Sequence, residues 1–183
     1  MFKYHYLESK DKIYLEVNHL DSEFLYVSSL SQGVGNNDLS GGDFTMLDRG
    51  QLGGVHVVKF IKTGNKLLLI QPNLDYRALT DNGLEKKSVE EAFAKSVLFG
   101  FPIVEKTPKG YLIDLTPFLM QDTHGVAQVL EESMQGKYKL DLTKSALNIE
   151  RTKSFPENVD FDVLLTLKGA PAGSKIKSVG SVS

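Results

Sequence analysis

Along most of this chain apolar and polar residues alternate with a period of two, and that period constrains the fold before any composition is weighed. Successive side chains of a strand point to opposite faces, so an alternating segment buries one face and wets the other. Residues 2–7 and 13–17 alternate on either side of the charged turn Glu8-Ser9-Lys10-Asp11-Lys12, which predicts a hairpin. Residues 24–30 predict a third strand. Residues 55–61 and 66–71 flank Lys62-Thr63-Gly64-Asn65, where Gly and Asn tolerate φ > 0, and this is the clearest hairpin of the chain. Residues 101–105 and 111–115 make another across Lys106-Thr107-Pro108-Lys109-Gly110. The last third is β again, over residues 138–142, 146–152 and 159–167, with Phe161, Val163, Leu165 and Leu167 alternating in the last.

Helical signals are confined to the middle. Ser88-Val89-Glu90-Glu91 has capping-box spacing, and Val89, Phe93 and Val97 follow at i, i+4, i+8, with Gly100 and Pro102 as the stop. Thr116-Pro117 predicts an N-cap with proline at the first helical position, then a turn over residues 118–120. Gly125 separates it from a second turn over residues 126–132. The expected class is α+β: a β-rich, mostly antiparallel sheet built from hairpins, with two or three short helices inserted midway. A domain over residues 1–168 is expected, followed by a linker-like tail over 169–183 that opens with Gly169-Ala170-Pro171-Ala172-Gly173-Ser174.

One stretch breaks the period. Residues 31–43 are polar and glycine-rich, and 44–54 continue with an Asp48-Arg49 pair, Gln51, and glycines at 50, 53 and 54. A connection this long between two strands is usually functional or mobile. It supplies the candidate binding residues Asp38, Asp43, Asp48, Arg49 and Gln51. Asn36, Asp38, Ser40 and Gly41 fall at the first, third, fifth and sixth positions of an EF-hand-like spacing, but Leu47 stands where the bidentate Glu belongs. A loose calcium site and an ordinary long turn both remain open from these residues. Asp48-Arg49 and Asp75-Tyr76-Arg77 each set a carboxylate beside a guanidinium; hydrogen bonds tying Asp48 and Arg49 into the fold are expected.

Catalytic chemistry finds no foothold. Four histidines (His5, His19, His56, His124) lack His-Glu-x-x-His spacing, so no metal ligand is assigned and each is expected to be satisfied or solvent-facing. Asp122 could orient the His124 imidazole, yet no nucleophile lies nearby in sequence, and Ser28-Ser29 has no local base. Gly33-Val34-Gly35 lacks the third glycine of a dinucleotide fingerprint. No G-x-S-x-G elbow occurs, and with no cysteine there is neither thiolate metal site nor thiol nucleophile. A net charge of −2, with only Arg49, Arg77 and Arg151 among 21 basic residues, argues against nucleic acid as a partner. No apolar run reaches bilayer-spanning length, and the N-terminus has no signal-peptide core.

Several segments in fixed order carry a resemblance. They are residues 23–30, Gly35-Asn36-Asn37-Asp38-Leu39, Leu47-Asp48-Arg49-Gly50-Gln51-Leu52-Gly53-Gly54, residues 96–101, residues 147–152 and Ser154-Phe155-Pro156-Glu157-Asn158. From about residue 2 to about residue 168 the series resembles the domain of unknown function DUF5117, which precedes the catalytic part of zinc-dependent metalloproteases, chiefly of Bacteroidota. Ser40-Gly41-Gly42-Asp43-Phe44-Thr45-Met46 lengthens or replaces a junction that is short in the family. The resemblance implies a non-catalytic accessory domain that shapes the cleft, binds substrate or supports folding. Its implied partners are a catalytic metalloprotease domain, in cis or in trans, and a peptide or protein substrate. Zinc is expected only in that catalytic domain, so no cofactor is assigned to this chain. Export to the periplasm, the cell surface or the medium, as part of a longer protein, is the implied location. The alternatives are a free-standing domain that binds a ligand, glycan or protein, and a small enzyme whose site is assembled from distant residues around His56 or His124.

Overall fold

The computed structural model describes residues 2–33, 47–74, 80–93, 95–173 and 176. It is α+β and β-rich, as the alternation predicts. Contacts divide the chain into two compact units, Phe2–Tyr26 with His56–Leu115, and Val27–Val55 with Thr116–Ser183.

Seven strands form the main sheet: β1 (Lys3–Leu7), β2 (Lys12–Val17), β3 (Glu23–Ser29), β4 (Leu52–Thr63), β5 (Lys66–Gln71), β6 (Ser96–Lys106) and β7 (Tyr111–Asp114). Their order is β1-β2-β7-β6-β5-β4-β3. The pairs β1/β2, β2/β7, β7/β6, β6/β5 and β5/β4 are all antiparallel. Within the first unit, Ile13, Leu15 and Val17 of β2 bury their alternate positions together with Val58, Phe60, Leu67, Leu69, Phe101 and Ile113. Although β1 and β3 stand at opposite ends of the strand order, Phe2, just before β1, lies 4.8 Å from Phe24 of β3, and Phe24 stacks at 5.5 Å on Phe60. The sheet therefore curls, and aromatic rings fill the place where its edges would otherwise stand open.

Three expectations here need correction. Helix α1 spans Gly83–Ala92, several residues upstream of the predicted start. Its cap is Asn82, whose side chain accepts from Leu84 N at 3.0 Å and donates to Glu85 at 3.3 Å. Asn82 and Glu85 thus occupy the capping-box positions, and Ser88 lies inside the helix, while Phe93 ends it and Val97 belongs to β6. Gly100 and Pro102 do not stop a helix; both lie within β6. Pro102 is tolerated because β6 changes partner there, pairing β5 through Pro102 and β7 from Ile103 onward. Ile103 N donates to Asn65 O on the β5 side, so the N–H that Pro102 lacks would have pointed the other way, ahead of the β7 ladder. Gly53 and Gly54, expected in the loop, are strand residues of β4.

In the second unit, Thr116 and Pro117 open α2 (Thr116–Leu119), and Gly125, at φ 74°, precedes α3 (Val126–Glu132) as predicted. The expected strands over residues 146–152 and 159–167 are broken. The chain instead makes one irregular hairpin from β8 (Tyr138–Leu140), β9 (Ala146–Leu147), β10 (Lys153–Ser154), β11 (Val159–Asp160), β12 (Val163–Leu164) and β13 (Leu167–Gly169). β13 pairs with β8, β12 with β9 and β11 with β10, with the register slipping at each interruption. The extra residues sit on the first arm, in a 3-10 turn at Leu142–Lys144 and in the turn at 148–151. The second turn is locked by Asn148, which accepts from Thr152 N and the Thr152 hydroxyl (both 3.0 Å) and donates to Asp162 at 3.1 Å.

The segment expected to be linker-like is held at several points. Ala172 N donates to Gln135 O at 3.0 Å, and Ile176 N donates to Gln135 Oε1 at 3.3 Å. Gln135 is only 5% exposed, and Ile176 is 6% exposed in a core cluster with Leu47, Leu130 and Tyr138.

Candidate functional site

The turn at residues 47–51 is built by its neighbours. Leu47, 1% exposed, anchors one end in the cluster of Leu130, Tyr138 and Ile176. Gln51 N donates to Asp48 O at 3.1 Å with Gly50 at φ 82°, the left-handed value that the third residue of a type II turn requires. The Gln51 side chain reaches back to accept from Asp48 N at 3.2 Å. Leu30, just past the end of β3, braces the turn from outside: Gly50 N donates to Leu30 O at 2.7 Å, and Leu30 N to Gln51 O at 3.0 Å. Gly33 packs backbone against backbone, since a Cβ there would sit 2.7 Å from both Arg49 N and Leu47 O.

Two residues of the turn have no such duty. Asp48 and Arg49 are exposed, and among the described residues neither side chain forms a hydrogen bond or ion pair. The expected tie between these side chains and the fold is therefore corrected: the backbone and Gln51 hold the turn, leaving carboxylate and guanidinium outward. Arg151, by contrast, is spent on Asp162 at 3.3 Å. Leu52, immediately after the turn, is 61% exposed. Of the candidate binding residues, the structure brings Asp48, Arg49 and Gln51 together; Asp38 and Asp43 lie outside the described residues, as do Asp75, Tyr76 and Arg77.

The histidines separate into four cases. His5 hydrogen-bonds Glu16 at 2.8 Å, His19 is exposed, and His56 stacks on Tyr26 with ring centroids 6.2 Å apart. His124 departs from expectation, because its Nδ1 is buried without a hydrogen-bond partner among the described residues. That nitrogen and the Ser28 hydroxyl both crowd the α-carbon of Gly53, where a Cβ would come within 2.8 Å of His124 Nδ1. No local signal in the sequence places Ser28 and His124 against the same glycine. Asp122 does not orient the imidazole: its two oxygens accept from Val126 N and Ala127 N, each at 2.8 Å, and so cap α3. Among the described residues no group of three or more His, Asp or Glu is placed to hold a metal ion. Nor is any described helix long and apolar enough to cross a membrane.

The family model for the domain of unknown function DUF5117 matches residues 50–183. The chain belongs to that family. Within this DUF5117 domain the match includes Gly50, Gln51 and Gly53, the α3 cap, the irregular hairpin and the segment around Ile176 that reaches back to Leu47. No curated protein and no solved structure gave a match.

Proposed function

We propose that this DUF5117 chain is a non-catalytic accessory domain of an exported zinc-dependent metalloprotease, and that it meets its partner through the turn at residues 47–51. The observation that carries the proposal is the division of labour in that turn. Leu47, Gly50 and Gln51 fix the backbone, while the side chains of Asp48 and Arg49 project outward with no bond to a described residue. A guanidinium on a rigid turn loses little freedom when it pairs with a carboxylate, and Arg is enriched among the residues that dominate interface energetics. Leu52 adds apolar area beside it. The resemblance to regions that precede metalloprotease catalytic domains supports the choice of partner: that catalytic domain, in cis or in trans, with its peptide or protein substrate. The zinc and the bond-breaking chemistry belong to the partner; this chain contributes docking and shape.

Arg49→Ala and Asp48→Ala test the proposal. Each is expected to leave the melting temperature unchanged while weakening association with a separately produced catalytic domain about tenfold or more, as read by titration calorimetry. Wild-type affinity in both variants would sink the docking role. Zinc-dependent cleavage of peptides by this chain alone would sink the non-catalytic assignment. Binding of a glycan or an unrelated ligand, with no affinity for the catalytic domain, would favour a free-standing binding domain.

A further inference from the structure

We propose that Asn82–Gly83 is a self-modifying site, in which the Gly83 backbone nitrogen closes on the Asn82 side chain at a rate set by the cap of α1. It is the one Asn-Gly pair in the chain. Glycine is the residue that least obstructs the approach of its own nitrogen to the preceding side chain, having no Cβ. Gly83 is exposed, and nothing lies within 4 Å of where a Cβ would stand. As the first helical residue it carries an N–H with no intrahelical acceptor.

The chemistry needs only water. Gly83 N gives up its proton to solvent base and bonds to Asn82 Cγ; the Cγ–Nδ2 bond breaks and Nδ2 leaves as ammonia. Water then opens the cyclic imide. Cleavage between the nitrogen and Cγ gives an ordinary aspartyl residue. Cleavage between the nitrogen and the main-chain carbonyl carbon gives an isoaspartyl residue, whose backbone runs through Cγ.

In the closed state four hydrogen bonds hold Asn82. Its N donates to Thr80 Oγ1 at 3.1 Å, its O accepts from Lys86 N at 3.2 Å, Oδ1 accepts from Leu84 N at 3.0 Å, and Nδ2 donates to Glu85 Oε1 at 3.3 Å. Cγ cannot swing onto Gly83 N until the two side-chain bonds release. Release is easy, because α1 has only ten residues and its first six, 83–88, are all exposed. A helix so short is marginal without packing, so its first turn opens at low free energy. The isoaspartyl product lengthens the main chain at the N-cap and so weakens it; the aspartyl product keeps an acceptor for Leu84 N but sets a second carboxylate against Glu85 where an N–H donor stood. The reaction is a one-way loosening of the connection between β5 and β6.

The test is incubation of the full chain at mildly alkaline pH and physiological temperature. Peptide mapping by mass spectrometry and an enzymatic isoaspartyl assay follow the products. Conversion at Asn82 is expected ahead of every other asparagine. Gly83→Ala, which meets no clash, should slow it about tenfold; Glu85→Ala should speed it about threefold by releasing half of the capping box. Circular dichroism confirms that both variants stay folded. Faster conversion at another asparagine, or an unchanged rate in Gly83→Ala, overturns the site. An unchanged rate in Glu85→Ala overturns control by the cap.

Discussion

Ile176→Ala puts a number on the segment that sequence alone leaves as a tail. Ile176 is 6% exposed against Leu47, Leu130 and Tyr138. The substitution removes three buried carbons, worth about 0.8 kcal/mol each on transfer to water. A cavity penalty adds to this, because Leu47 is anchored by the turn and Leu130 by α3, so neither can collapse freely; the combined cost is expected at about 3 kcal/mol. The assay is urea unfolding of the full chain by circular dichroism, reading the midpoint at an unchanged slope. Hydrogen exchange across residues 130–140 separates loss of docking from global loss. Faster exchange there would show that releasing Ile176 frees Gln135, which holds Ala172 N at 3.0 Å and Ile176 N at 3.3 Å. An isoleucine in a frayed end would cost under about 0.5 kcal/mol, as surface substitutions do. A loss that small, with unchanged exchange, would refute the claim that this segment completes the core beneath the turn.

Two further outcomes follow from close approaches and charge. Gly53→Ala drives a Cβ toward the Ser28 hydroxyl and to 2.8 Å from His124 Nδ1, and should cost about 1–3 kcal/mol in the same unfolding assay; Ser28→Ala in the same chain should recover part of the loss, and a neutral Gly53→Ala would contradict the packing. The Thr143 hydroxyl, 2.6 Å from Asp141 Oδ1, holds that carboxyl below its ordinary value of 3.8, with help from Thr143 N, Lys168 and Lys144. A depressed folded value means that the contribution to stability is present above pH 3.8 and is lost as pH falls through the folded pKa. Thr143→Val should move the Asp141 titration, followed by NMR, back toward 3.8, and a titration that does not move would assign the depression to the Thr143 backbone N–H and the lysines instead.

What was legible in the sequence is what period two encodes locally. The hairpins β1/β2, β4/β5 and β6/β7 follow from alternation and from turns such as Lys62-Thr63-Gly64-Asn65. The failures share a cause: a local signal overridden by a distant partner. Gly100 and Pro102 read as helix stops because nothing in their surroundings reveals the change of partner at Ile103. Residues 159–167 keep their alternation, but the facing arm carries extra residues in the turns near Leu142 and Asn148, so the ladder breaks twice. α1 was misplaced because Ser88-x-x-Glu91 and Asn82-x-x-Glu85 have the same spacing, and the apolar positions after Ser88 favoured the wrong one. Asn82 before Gly83 was the available signal for the true cap.

The turn at residues 47–51 shows how a signature divides into parts with different reasons. Leu47 is required by burial, Gly50 by a positive φ, Gln51 by the free N–H of Asp48, and Gly53 by the approach of Ser28 and His124. These constraints are internal, and each predicts a loss of stability on substitution. Asp48 and Arg49 are left over: exposed, oppositely charged, and carried by the backbone that the others hold. A fold gains little from ordering two charged side chains in water, where even a paired surface charge is worth at most about 1 kcal/mol. The same two side chains on a pre-ordered turn favour a partner that presents the complementary pair, because the backbone entropy of ordering has already been met by Leu47, Gly50 and Gln51. Stability and binding should therefore separate cleanly within five consecutive positions, with Gly50 and Gln51 moving the first and Asp48 and Arg49 only the second.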